Sequence, residues 1–159
     1  MRIDRDRNAF TVVTPRTCGG SVEFGGRIDA DLLRVKCEGG IATVFATAMD
    51  AKPLAVSEKI LVTHLTRLYN TGDRFADRTG NMLLAYGKPP YLLARGTATV
   101  ALKLDHPEKY VVHALESNGE RRGIVPSTVL SGALVFKADV SRDPANATYL
   151  YEIGIKAGE

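Results

Sequence analysis

The chain has 159 residues, of which 45% are hydrophobic and 25% charged, with a formal net charge of +3. This composition is that of one ordinary globular domain, and it excludes a largely disordered chain. No apolar run approaches the roughly 20 residues of a membrane-spanning helix, and the start, MRIDRDRNAF, lacks the apolar core of a signal peptide. Basic residues are dispersed, with only Arg121 and Arg122 adjacent, so no nucleic-acid interface is predicted.

The apolar segments are short, rich in β-branched or aromatic residues, and bounded by Gly, Pro, Asn or Asp. A helical period is hard to find, and the best candidate is one turn within 51–57. The segments therefore predict an all-β antiparallel sandwich of jelly-roll or Ig-like type over residues 1–159, with about 10 to 12 strands and a closed barrel as the alternative. In chain order the predicted strands lie within 9–15, 18–26, 31–50, 58–68, 81–87, 96–104, 109–127, 131–140 and 147–156.

Three of these segments carry more specific predictions. We expect 31–50 to be a hairpin that turns at Glu38-Gly39-Gly40, and 109–127 to be a hairpin that turns at Asn118-Gly119. The segment 58–68 has apolar residues at both odd and even positions, which is typical of a strand covered on both faces.

The two cysteines, Cys18 and Cys37, lack the CxxC spacing of a zinc site. A disulfide between them would close a loop of about 20 residues and stabilise the fold by about 3 kcal/mol. Two half-buried free thiols are the alternative, and the sequence does not decide between them.

His64 lies inside the apolar segment 58–68. Such a histidine can be a general base, line a site, or be a core residue that hydrogen-bonds to a neighbour. No second histidine is spaced to share a metal with it on the same strand. We therefore interpret His64 mainly as a structural residue.

The residues that follow His64 combine a ring with polar groups. Tyr69, Asn70, Thr71 and Asp73 place a flat aromatic side chain beside amide, hydroxyl and carboxylate groups, which is typical of sugar-binding loops. The alternative is that Asn70-Thr71-Gly72 only makes a turn while Tyr69 packs at the edge of the core.

A second loop, AYGKPPYLLARG, carries Tyr86 and Tyr91 around a double proline. A rigid loop flanked by aromatic residues loses little entropy on binding, although such a loop can also simply cross between two sheets. We therefore predict a carbohydrate-binding set, namely Tyr69, Asn70, Asp73, Tyr86 and Tyr91.

Cofactor and catalytic signals are sparse. One loop offers oxygen ligands at Asp73, Asp77 and Asn81, but their spacing does not fit an EF-hand. No cofactor is therefore predicted, and a structural calcium ion is the alternative. No serine stands in a Gly-x-Ser-x-Gly elbow, and no Gly-x-Gly-x-x-Gly phosphate loop precedes a helix. No catalytic residue is therefore predicted.

Four segments, FTVVTPRTCGG, VTHLTRLYNTG, GKPPYLLARGTATVAL and YVVHALESNGERRGIVP, resemble the β-rich C-terminal region of certain large bacterial glycoside hydrolases and related uncharacterised proteins. The resemblance extends from Phe10 to about Val125 and consists of strand and turn residues. It departs from the family pattern at Arg67 and Leu68-Tyr69, so any role of that segment in the family does not transfer directly.

In such enzymes the cleaving carboxylates generally lie in a separate domain, so the resemblance implies an accessory module from a larger multidomain protein. Its expected partners are a polysaccharide or oligosaccharide and the neighbouring catalytic domain, and its location would then be secreted or periplasmic. Two alternatives stay open: a small glycan-active enzyme with a cleft near His64 and Asn70, and a purely structural domain.

Overall fold

The computed structural model describes residues 1–4, 9–77, 80, 82–141 and 147–156, and nearly all of its regular structure is β-strand. The predicted antiparallel all-β sandwich is confirmed. The described residues form seventeen strands instead of 10 to 12, because several predicted segments divide into shorter pieces. The strands are β1 (Arg2–Asp4), β2 (Ala9–Val13), β3 (Thr17–Val22), β4 (Arg27–Ala30), β5 (Leu33–Cys37), β6 (Ala42–Ala48), β7 (Lys59–Leu65), β8 (Leu68–Thr71), β9 (Arg74–Phe75), β10 (Leu83–Ala85), β11 (Lys88–Leu93), β12 (Thr97–Lys103), β13 (Tyr110–Leu115), β14 (Arg121–Val125), β15 (Ser127–Leu130), β16 (Ala133–Asp139) and β17 (Leu150–Ile155).

Two sheets form the sandwich. The larger has eight strands in the order β1-β2-β3-β6-β7-β17-β13-β14, and the smaller has five in the order β15-β16-β12-β5-β4. Every strand pair in both sheets is antiparallel. The two short 3-10 turns are Leu54–Val56, which lies within the segment predicted to be helical, and Pro107–Lys109.

The core lies between the two sheets because successive side chains along a strand point to opposite faces. In β6 every second residue is buried, and β12 shows the same alternation in the opposite sheet. Aromatic packing joins the layers where Tyr151 of β17 lies 5.4 Å, centroid to centroid, from Phe136 of β16. The Tyr151 hydroxyl is hydrogen-bonded as well, because it accepts from the backbone N–H of Asp139 at 3.0 Å.

The predicted hairpin in 31–50 is wrong. Its two arms, β5 and β6, belong to different sheets, and the segment between them crosses the sandwich. The Glu38 N–H donates to the carbonyl of Thr97 in β12, and Gly40 has φ +71°. A glycine pair between two alternating segments suits both a hairpin and a crossing, so local pattern alone did not distinguish them. By contrast, β13 and β14 form the predicted hairpin.

The prediction that β7 is covered on both faces is also wrong for the described part of the chain. Ile60, Val62 and His64 are buried between the sheets, whereas Leu61 and Thr63 are half-buried on the other face. Apolar residues at both odd and even positions therefore did not distinguish a strand with one fully buried face from a strand with two.

Cys18 and Cys37 are both buried and both free. They lie on β3 and β5, which belong to different sheets, and burial raises the pKa of each thiol. The free-thiol alternative therefore describes this structure. In the part of the chain that is described, no helix has the length and apolar character needed to span a membrane.

Candidate functional site

Between β7 and β12, the described residues 66–77, 80 and 82–96 leave both sheets and form a separate arm. Its four strands make two small antiparallel ribbons, β8 with β11 and β9 with β10. The Thr66 hydroxyl donates to the carbonyl of Ala94 at 2.7 Å, and the Ala94 N–H donates to the carbonyl of Arg67 at 2.8 Å. These two bonds close the base of the arm, so the arm begins and ends at one place on the sandwich.

The chain reverses between β8 and β9, which brings the two ribbons together. The Asp73 N–H donates to the carbonyl of Asn70 at 3.2 Å, and Gly72 supplies the positive φ, +87°, that the turn needs. The ring of Phe75 then stands edge-on against that of Tyr69, with centroids 5.6 Å apart and an interplanar angle of 79°. The turn predicted at Asn70–Gly72 is therefore present, and Tyr69 packs within the arm instead of at the edge of the core.

The side chain of Asp73 joins this reversal to the returning strand. One carboxylate oxygen accepts from the Asn70 N–H at 2.7 Å, and the other accepts from the Gly87 N–H at 2.8 Å. These bonds favour the charged form, so they hold the pKa of Asp73 below its usual value. A Cβ on Gly87 would lie 2.2 Å from the carbonyl oxygen of Thr71, so the close crossing of the two chains requires glycine there.

An open depression of about 390 Å³ lies between the two ribbons. Three apolar side chains form part of its wall, and polar groups form the rest. Its lining residues are Tyr69, Asn70, Gly72, Asp73, Phe75, Asp77, Gly80 and Leu92. The guanidinium of Arg67 lies close to this wall, because its Nη1 atom is 3.5 Å from the place a Cβ would take on Gly80.

Tyr69, Asn70 and Asp73, three of the five predicted binding residues, thus line one depression, whereas Tyr86 and Tyr91 do not line it. In the β8–β11 ladder Tyr69 is opposite Leu92 and Asn70 is opposite Tyr91. Tyr91 is 65% exposed and does not contribute to the lining, although it is the ladder partner of Asn70. Tyr86 lies just beyond β10 and is 85% exposed.

No family model matches the chain. Comparisons with curated proteins and with solved structures likewise find no significant match.

His64 does not take part in the depression. It is fully buried on β7, its backbone N–H donates to the carbonyl of Tyr149, and neither ring nitrogen has a hydrogen-bond partner among the described residues. Burial lowers the pKa of His64 to about 4, since the interior disfavours the charged imidazolium. With no exposed surface, this imidazole cannot reach a substrate in the present conformation.

The loop considered for calcium contributes two carboxylates, Asp73 and Asp77, to the depression, while Asn81 lies outside the described residues. Asp73 already accepts two backbone hydrogen bonds. Within the described ranges, no group of three or more His, Cys, Asp or Glu side chains is placed to hold a metal ion.

Sequence reasoning did not find Phe75 and Leu92, which complete the apolar wall. Both are ordinary hydrophobic residues with no local motif, and only the fold-back of β9–β10 brings Phe75 onto Tyr69. The segment YLLA gave no signal for Leu92, because its residues are all apolar and show no alternation.

Proposed function

We propose that this chain is a non-catalytic carbohydrate-binding module that accompanies a polysaccharide-degrading protein, and that it binds glycan in the arm depression. The observation that carries the proposal is the meeting of an aromatic ring, Tyr69, with amide and carboxylate groups in one open depression. Aromatic rings pack against the apolar face of a sugar, while planar polar groups bind its hydroxyls.

The polar groups retain capacity for a ligand. Oδ1 of Asp73 accepts from the Gly87 N–H and, at 3.4 Å, from the side-chain amide of Asn70, whereas Oδ2 accepts, among the described residues, only from the Asn70 N–H and so keeps an acceptor site for a ligand. The same bonds hold the carboxylate still, so a hydroxyl that reaches it meets an acceptor already in position. This preorganisation lowers the entropic cost of binding.

The shape of the depression favours a stretch of a longer chain over a small enclosed ligand. It is a surface feature between two ribbons, and Leu92 at its wall is itself exposed. A polysaccharide can cross such a surface without burying its ends. The resemblance to accessory regions of bacterial glycoside hydrolases supports the same class of ligand.

The geometry gives no support to the alternative of a small enzyme with a cleft near His64 and Asn70. Asn70 lines the depression, whereas His64 is sealed in the core. The two carboxylates at the depression are Asp73 and Asp77, and the first already accepts hydrogen bonds from two backbone amides. We therefore assign no catalytic residue.

A second candidate, a domain that braces a neighbouring catalytic domain, is favoured by the other side chains of the arm. Several large apolar residues there are exposed although the depression does not use them, and exposed apolar clusters often mark protein contacts. They are Leu68, Met82, Leu84, Tyr86 and Tyr91.

The test is retention on a panel of insoluble and gel-embedded polysaccharides, compared for the unmodified chain and four variants. We expect Tyr69→Ala to reduce affinity by about tenfold or more, since one well-placed ring contributes about 1 to 2 kcal/mol. Tyr86→Ala and Tyr91→Ala serve as matched controls of similar size and should leave retention unchanged. Thermal unfolding of each variant checks that the fold is intact.

Tyr69→Phe keeps the ring and its contact with Phe75, so it should retain most of the affinity even if Tyr69→Ala loosens the arm. No retention of the unmodified chain on any polysaccharide would overturn the carbohydrate proposal and leave the bracing role. Equal loss in Tyr86→Ala and Tyr69→Ala would contradict the assignment to the depression.

A further inference from the structure

The two sheets end in four edge strands within the described residues, and β15 differs from the other three. An edge strand exposes unpaired backbone groups, and natural proteins commonly protect such an edge with charged side chains. Charged residues are present on β1, β4 and β14 but absent from β15, whose sequence is Ser-Thr-Val-Leu. The charged edge residues are Arg2, Asp4, Arg27, Asp29, Arg121 and Arg122.

The hairpin geometry determines which backbone groups of β15 point away from its sheet. Ser131 and Gly132 connect β15 to β16 with φ +49° and +74°, as in a two-residue type I′ turn. In such a hairpin the closing pair, Leu130 with Ala133, exchanges both hydrogen bonds, and the pairs then alternate. The N–H and C=O groups of Val129 and Ser127 therefore point outward, and among the described residues no turn or loop backbone hydrogen bond uses them.

The space beside this edge is open and partly apolar. A groove of about 300 Å³ runs beside β15 and is lined by Ser127, Thr128 and Val129 together with Ile124 of β14. Val129 is 44% exposed, Leu130 60% and Ile124 66%. The unpaired backbone and the exposed side chains thus occupy one surface.

We propose that β15 pairs in antiparallel fashion with β15 of a second copy of this chain, around a two-fold axis at Thr128. In that register, Val129 of each copy lies opposite Ser127 of the other copy, which gives two such pairs. Both residues direct their N–H and C=O groups outward, so each pair can exchange two hydrogen bonds and the five-stranded sheet continues into the second copy.

A second copy suits this edge because the strand is complementary to itself. The outward backbone groups belong to Ser127 and Val129, and Thr128 lies between them. A two-fold axis at Thr128 therefore places Ser127 of one copy opposite Val129 of the other. β15 itself carries no charge, so the pairing places no like charges opposite each other within the strand, and Glu108 and Lys156, which also line the groove, have opposite signs. The same operation on β14 would instead bring the charged side chains of Arg121 and Arg122 into the contact.

The contact is short, and its strength should be modest. Four residues and a few apolar neighbours form an interface at the low end of specific protein contacts, so we expect dimerisation over about 10 to 100 µM.

The experiment is sedimentation equilibrium across that concentration range, on the unmodified chain and on Val129→Pro. Proline removes an outward N–H and no bond to β16, and edge positions that face solvent tolerate it. The unmodified chain should dimerise and Val129→Pro should remain monomeric, with the dissociation constant raised about tenfold or more. Val129→Ala keeps the N–H and should retain dimerisation.

Val129→Lys provides a second variant that keeps the backbone donor and adds an edge charge, in case proline perturbs folding. It should also be monomeric. A chain that stays monomeric throughout the range would overturn the proposal. So would a dimer that both Val129→Pro and Val129→Lys leave intact, because such a dimer would use another surface, such as the arm.

Discussion

The carboxylate of Asp73 accepts the backbone N–H of Gly87 at 2.8 Å, and this contact joins the outgoing and returning halves of the arm. The two residues are fourteen positions apart in sequence. Because the other carboxylate oxygen holds the Asn70 N–H, one side chain fixes both ends of the fold-back. The shape of the candidate glycan site therefore depends on a residue that also lines it.

Replacing Asp73 with Ala should loosen the arm and leave the sandwich intact. The amides of Asn70 and Gly87 lose their acceptor, so their hydrogen exchange should accelerate while the exchange of β6 and β12 amides stays unchanged. Hydrogen exchange resolved by residue measures this directly. Asp29→Ala removes an exposed carboxylate from β4 and is the matched control. Unchanged exchange at Gly87 in Asp73→Ala would contradict the structural role.

The buried imidazole of His64 should make the fold less stable as the pH falls. Its pKa is about 4 in the folded chain, below the ordinary 6.5, so the unfolded chain binds the proton more readily between these values. The neutral form therefore favours folding fully above about pH 6.5, and that stability is lost as the pH falls through about 4. The shift corresponds to about 3 kcal/mol in the free energy of unfolding.

Urea unfolding between pH 4 and 7 tests this prediction when the chain is compared with His64→Leu. Leucine removes the titrating group and the two unpartnered nitrogens, so the variant should lose less stability over this range. Carboxylates that titrate in the same range affect both proteins equally. Parallel pH profiles for the two chains would contradict the prediction.

The Gly19→Ala variant should destabilise the large sheet. A Cβ at Gly19 would lie 2.3 Å from Cδ1 of Phe45 and 2.5 Å from the carbonyl oxygen of Val44, so the ring and the strand must shift. We expect a loss of about 1 to 3 kcal/mol, measured as a lower unfolding midpoint in denaturant. Gly123→Ala is the matched control, because a Cβ there has nothing within 4 Å. The control should change stability by at most about 0.5 kcal/mol, and equal effects at both sites would refute the steric argument.

The two thiols should be unreactive towards thiol reagents in the folded chain. Cys18 and Cys37 are buried, and burial raises the pKa of both, which disfavours the reactive thiolate. A thiol reagent should label neither residue quickly in native buffer and both in denaturant without reductant. Labelling that appears in denaturant only after reduction would instead reveal a disulfide.

Much of the fold could be predicted because strand signals are local. Period-two alternation, β-branched residues and turn dipeptides such as Asn118-Gly119 lie within a few residues of each other, so they indicate strands and their turns directly. The same locality explains the error at Glu38–Gly40. A turn sequence shows that the chain changes direction, but it does not show which sheet receives the next strand.

The candidate site could be predicted only in part. Tyr69, Asn70 and Asp73 are close in sequence, so their grouping was visible as a loop with a ring and polar groups. Phe75 and Leu92 join them in the depression, whereas Tyr86 and Tyr91 do not, and this grouping depends on strand pairing between residues that are distant in the chain.

Local signals in the sequence are enough to specify an antiparallel all-β sandwich with a turn at Asn70–Gly72, because hydrophobic alternation and glycine requirements act over short distances. Three other features become visible only in the folded chain: Asp73 joins the two halves of the arm, Phe75 and Leu92 complete a depression beside Tyr69, and His64 is buried in the core. Those features arise from contacts between residues far apart in the chain, and their formation depends on how the sheets pack and in which register the strands pair.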